Sequence, residues 1–108
     1  MHHLDEAIRL KPQMLGPHLE RGQVFLSRRQ HRQALAAFSQ AAAVAPLSPA
    51  PHFEAGMALK EAKDYAAAEH ELRLAAKLAP KDRHIQRQLA AVIALNLVHH
   101  RQEVGVRL

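Results

Sequence analysis

The chain writes one stretch twice. Pro17-His18-x-Glu20-x-Gly22 returns as Pro51-His52-x-Glu54-x-Gly56, Ala34 as Ala68, and Ala41-Ala42-x-x-Ala45-Pro46 as Ala75-Ala76-x-x-Ala79-Pro80, always 34 residues on. Where identity lapses, character holds: Leu19 stands opposite Phe53, Phe25 opposite Leu59, Phe38 opposite Leu72 and Val44 opposite Leu78. Alanine is common enough to match by chance, but prolines, glycines and histidines recurring at one offset are hard to get by accident. A repeat of this length is one supersecondary unit stacked on itself, each copy covering a face its neighbour cannot bury alone. The register runs to both ends: Leu4, Ala7, Leu10 and Pro12 stand one period before Phe38, Ala41, Val44 and Pro46, and Gln86, Ala90 and Ile93 one period after His52, Gly56 and Leu59. The expected organisation is a second-half helix over residues 1–12, complete repeats over 13–46 and 47–80, a long terminal helix over 81–102 and a frayed tail over 103–108. Because the chain opens in mid-repeat, it is expected to be part of a larger protein.

Local signals predict where helices start and stop. Leu4, Ala7, Ile8 and Leu10 have the spacing of one buried helical stripe, and Pro12 ends it because the residue before a proline is pushed out of the helical region. A helix is expected over 15–28, a basic turn from Arg28 to Arg32, and a second helix over 33–45 stopped by Pro46. Ser48 is placed to cap the third helix, with Pro49 and Pro51 in its first turn, Asp64 to cap the fourth, and Asp82 the fifth. In that fifth helix Asn96, Leu97 and Val98 replace the polar turn residues of the earlier repeats, so it should continue to about Arg101. Gly22 falls in mid-helix, where glycine costs about 1 kcal/mol against alanine. Close approach of the following helix is the expected compensation.

A 34-residue period with a small residue at position 8 (Gly22, Gly56, Ala90), an apolar one at 11 (Phe25, Leu59, Ile93), Ala at 20 (Ala34, Ala68), an aromatic or Leu at 24 (Phe38, Leu72), Ala at 27 (Ala7, Ala41, Ala75) and Pro at 32 (Pro12, Pro46, Pro80) resembles the tetratricopeptide repeat. Position 4 departs from the family pattern, with His18, His52 and Gln86 where a large apolar residue is usual. The resemblance implies an all-α fold, an α-solenoid of antiparallel helix pairs curled into a superhelix, with about two full repeats and a half repeat at each end. It also implies that the first helix of each pair lines a concave groove. The residues at groove positions are Leu19, Gln23, Leu26 and Ser27, then Phe53, Met57, Lys60 and Glu61, then His84, Arg87, Ala91, Ala94 and Leu95. The expected function is a protein-interaction module holding a peptide or amphipathic helix in an apolar, basic-rimmed groove, with Phe53 and Met57 as anchors. A subset of the family clamps a C-terminal carboxylate, and the matching positions here are Leu19, Gln23, Glu54, His84 and Gln88, which lack that pattern.

Composition narrows the alternatives. With 48% hydrophobic residues but 4% aromatic in 108, the chain fits helices held by Ala, Leu and Val, and without cysteine it can form no disulfide or Cys-based zinc site. The apolar run from Leu89 to Val98 is broken by Asn96 and is shorter than the roughly 20 residues a membrane helix needs. The N-terminal residues lack the basic start and apolar stretch of a signal peptide, so a cytoplasmic location is expected. A net charge of +5 biases partners toward acidic ones, and Arg28, Arg29 and Arg32 are a candidate basic contact. The few aromatics, Phe25, Phe38, Phe53 and Tyr65, are mostly committed to the repeat core, which argues against base stacking and leaves anion or RNA binding through the basic turns as a third, weaker reading. His18 and His52, on adjacent repeats, should lie about 8–10 Å apart, too far to share one ion, so no metal is expected. No catalytic motif or cofactor loop is present. A second reading is end-to-end assembly into a homo-oligomer through apolar ends carrying Leu4, Ile8, Leu89, Leu97 and Val98.

Overall fold

In the computed structural model, which describes residues 15–103, five helices follow one another: α1 (Leu15–Ser27), α2 (His31–Val44), α3 (Ala50–Glu61), α4 (Tyr65–Leu78) and α5 (Arg83–Glu103). Each packs on the next in sequence, and α1 also touches α3. The fold is an all-α helical repeat in which α1 and α2 form one antiparallel hairpin, α3 and α4 the next, and α5 lies against α4. The predicted helix around Leu4 to Leu10 and the tail beyond residue 103 lie outside the described residues.

The turn after α1 is tighter than the sequence predicts. It takes only Arg28 to Gln30, so His31 and Arg32 belong to the first turn of α2. The reason is a backbone closure: the Gln30 N–H donates to the Phe25 carbonyl at 2.9 Å and the Arg29 N–H to the Leu26 carbonyl at 2.9 Å, the paired bonds of a Schellman motif. Arg29 sits in the left-handed region at φ 58° to make this possible. One period later Lys63 repeats it at φ 66°, with Asp64 N–H on Leu59 O at 2.9 Å and Lys63 N–H on Lys60 O at 3.0 Å. A non-glycine residue there carries about 1–2 kcal/mol of strain, offset by satisfying carbonyls that would otherwise be left open at the helix end.

The predicted caps at Asp64 and Asp82 act as expected. Asp64 Oδ1 accepts from the Ala67 N–H at 3.3 Å, and Asp82 Oδ1 from those of His84 at 2.9 Å and Ile85 at 3.2 Å. Ser48 Oγ takes the Ala50 N–H at 3.4 Å, a long bond, and Pro49 already has helical dihedrals. Pro51 is fully buried in the first turn of α3, where its missing N–H leaves no partner unsatisfied. By contrast Gln30, which precedes α2 as Asp64 precedes α4, makes no side-chain cap bond.

Two apolar clusters hold the array. Ala34, Phe38, Ala55 and Ala58 join α2 to α3, with Leu19, Phe25, Leu26 and Leu35 packed around them; Ala68, Leu72 and Val92 join α4 to α5, with Phe53, Leu59, Tyr65 and Leu89 around them. Full burial of Phe38 and Leu72 contributes about 1.5–3 kcal/mol each. The mid-helix glycines are what lets them in. A Cβ on Gly22 would lie 2.7 Å from Phe38 Cδ1 and Cζ, and one on Gly56 would lie 2.7 Å from Leu72 Cγ.

The fifth helix spans 21 residues, because nothing in Asn96, Leu97 and Val98 stops it. Asn96 instead ties it back: its Nδ2 donates to Glu69 Oε1 at 3.1 Å, while Arg73 donates to Glu69 Oε2 through Nε at 3.1 Å and Nη2 at 2.8 Å. These bonds, Arg73's first and Asn96's second, hold the Glu69 carboxyl below the ordinary glutamate range. The outer face of α5 is less apolar than its sequence suggests. Ile85 and Val92 are buried and Leu89 packs on the second cluster, so of the residues expected to pair copies only Leu97 (62% exposed) and Val98 (54%) face outward; Leu4 and Ile8 lie outside the described residues.

Candidate functional site

Helices α1, α3 and α5, the first members of their pairs, converge on one concavity of about 350 Å³. Leu26 from α1, Met57, Lys60 and Glu61 from α3 and Leu95 from α5 line it, all residues at predicted groove positions. Two further lining residues, Ala58 and Tyr65, were not predicted. Tyr65 starts α4 directly after its capping Asp64 and stands edge-on to the His99 ring, centroids 5.6 Å apart. The available signal was an aromatic immediately after a capping aspartate.

The other groove positions divide by what they touch. Phe53 is half-buried, packs on the second apolar cluster and stacks obliquely on His84 with centroids 5.2 Å apart, so it joins α3 to α5 and does not line the hollow. Leu19 is half-buried against the first cluster. Lys60 Nζ donates to Gln88 Oε1 at 3.0 Å, a second tie between α3 and α5. Gln23, Ser27, Glu61, His84, Arg87, Ala91 and Ala94 are exposed, and Ser27 Oγ donates to its own helix at Val24 O, 2.7 Å away. The face therefore has an apolar hollow at the α3 C-terminal end and exposed His84 and Arg87 near the α5 N-terminus. Along α5, Arg87 and Leu95 are eight residues apart, about 12 Å at the helical rise.

Arg28, Arg29 and Arg32 are exposed but divided, two in the turn and one on α2. The paired histidines take different surroundings: His18 is buried, whereas His52 Nδ1 lies 3.2 Å from Glu71 Oε1. Among the described residues no group of three or more His, Asp or Glu is placed to hold a metal, and no helix is long and apolar enough to cross a membrane.

The sequence matches no protein-family model and no curated protein. Its fold does match solved structures. The type III secretion chaperone SycD of Yersinia enterocolitica, in complex with a peptide of the translocator YopD, is similar at TM-score 0.77 and 20% identity, over 84% of this chain and 75% of that one. PcrH in complex with the chaperone binding region of PopD is similar at 0.71 and 23% identity, over 92% and 75%. YrrB, a TPR protein with an unusual peptide-binding site, is similar at 0.75 and 16% identity, over 84% of this chain but 47% of its own length. The likeness at such identities is one of fold, and the fold is of the tetratricopeptide-repeat type.

Proposed function

We propose that this chain, folded as a tetratricopeptide-type array, is a protein-interaction module that seats a peptide or amphipathic helix along α1, α3 and α5. The observation that carries the reading is the hollow to which all three helices contribute, lined by Leu26, Met57 and Leu95. A concave apolar hollow with a few polar groups at its edge is how a binding site for an apolar anchor is built, and Met57 adds a side chain that adapts to irregular shapes. Exposed His84 and Arg87 favour an acidic residue on the segment that crosses α5. The solved relatives bound to peptides of their partners support the same class of ligand. A displayed random-peptide library selected on the immobilised protein tests it. Met57→Ala should weaken the selected peptides roughly tenfold or more with helical content intact, since truncating a central anchor commonly removes 2 kcal/mol or so, whereas Arg28→Ala with Arg29→Ala should leave them unchanged. The reverse pattern sinks the groove reading.

Exposed Leu97 and Val98 favour a second role, pairing of copies through α5. Sedimentation at micromolar concentrations should then show mass rising with concentration, and Leu97→Ser should abolish the rise.

A further inference from the structure

A larger hollow, about 560 Å³, lies between α2, α3 and α4 and shares no lining residue with the α1–α3–α5 hollow. It exists because alanine stands on each of its three walls: Ala42 on α2, Ala55 on α3 and Ala67 on α4. Leu35 and Leu59 add to its apolar lining, and such a surface gives water too few partners to be held well. Its polar groups are few. Glu71 is the one formal charge among the lining residues, beside His52 and His70 from α3 and α4, and α2 contributes only the Ser39 hydroxyl. Glu71 is half-buried, and His52 engages one position of a carboxylate that accepts at about four.

The neighbouring hollow between α4 and α5 makes the contrast. There Arg73 stands one period after Ser39, and Lys77 joins it, so that hollow is basic. In a chain of net charge +5, the α2–α3–α4 hollow is set apart by presenting a carboxylate, and no lysine or arginine, over apolar groups. We infer that the α2–α3–α4 hollow is a second docking site, which takes an apolar side chain of a partner protein with a lysine or arginine directly next to it. The apolar side chain fills the alanine-walled space, and the cation completes the coordination of Glu71. A carboxylate in the same place would face Glu71 and be repelled.

The probes are acetyl-Gly-Leu-Leu-Lys-Gly-amide and the same peptide with Glu for Lys, titrated into the isotope-labelled full chain and followed by amide NMR. Weak, saturable binding of the Lys peptide is expected, with shifts at Ala42, Ala55, Ala67 and His70, and roughly fivefold weaker binding of the Glu peptide, the scale of one partly screened charge contact. Glu71→Gln should level the two peptides. Ala42→Leu, which fills the hollow, should abolish the shifts while circular dichroism stays unchanged, and should that variant unfold, Ser39→Leu from the same wall serves instead. Equal affinity for both peptides, no saturable shifts at these residues, or an unchanged preference in Glu71→Gln overturns the inference. Concentration-dependent shifts at the hollow without peptide would assign it to a second copy of this chain and overturn it likewise. Shifts at Leu26, Met57 and Leu95 report separately on the α1–α3–α5 groove, so failure of either site is read without the other.

Discussion

The hairpins α1–α2 and α3–α4 share a backbone plan but not a chemistry. Both close with a left-handed cationic residue one period apart, Arg29 and Lys63, and both place a glycine where the second helix crosses the first. The first meets its glycine with the flat ring of Phe38, the second with the branched Leu72. The first begins its second helix with Gln30, whose side chain accepts no cap bond, the second with a working Asp64 cap. His18 is buried in the first hairpin, while its counterpart His52 pairs with Glu71, whose equivalent position is Ala37. The difference teaches that repeat geometry is set by where small residues fall, while stability and surface chemistry are written separately into each copy.

The largest expected effect tests the glycine crossings. Phe38→Ala should destabilise by about 3–5 kcal/mol and Leu72→Ala by about 2–5 kcal/mol in urea unfolding. Gly22→Ala should destabilise the parent chain through overlap with the Phe38 ring, but become neutral or stabilising when Phe38→Ala has emptied that space, because the helix then gains alanine's propensity. An equal loss in both backgrounds would show that the ring does not require the glycine.

A smaller effect separates the caps. Asp64→Ala should lower stability by about 1 kcal/mol, Gln30→Ala should change it little, and Gln30→Asp should give the first hairpin about 0.5–1 kcal/mol it now lacks. Thermal melts that respond equally to the two alanine substitutions would erase this distinction between the hairpins.

The smallest concerns Glu69, which ties the second hairpin to α5 and whose equivalent in the first is Leu35. Its folded pKa is depressed by the Arg73 and Asn96 bonds. The stabilisation is therefore complete above the unfolded carboxylate value of about 4.3, and is lost as pH falls through the lower folded value. Because Glu69 and Arg73 lie near the surface, the loss is modest and salt weakens it. Melting curves from pH 6 to 2 should show less acid sensitivity in Glu69→Gln than in the parent chain.

Much of this was legible along the chain. The period, the all-helical pairing, the caps at Asp64 and Asp82, the long α5 and the reason for Gly22 all follow from local rules: prolines and capping side chains act within a turn of themselves, and a 34-residue offset is visible without coordinates. What sequence could not decide depends on which side chains meet across helices. The turn length at Arg29 depended on a backbone conformation that side-chain type does not announce, since arginine is not the residue that region favours. Phe53 reads both as a core aromatic and as a groove anchor, and packing against the apolar cluster and His84 is what it does. Leu89 reads as open and is packed, Tyr65 reads as core and also borders the groove hollow, and Asn96 reads as an interruption but bonds Glu69, 27 residues away in the chain. The alanine-walled hollow carrying Glu71 was invisible in one dimension because its walls come from three helices. A missing side chain leaves space only where the neighbouring helices fail to fill it, and tertiary packing alone settles that.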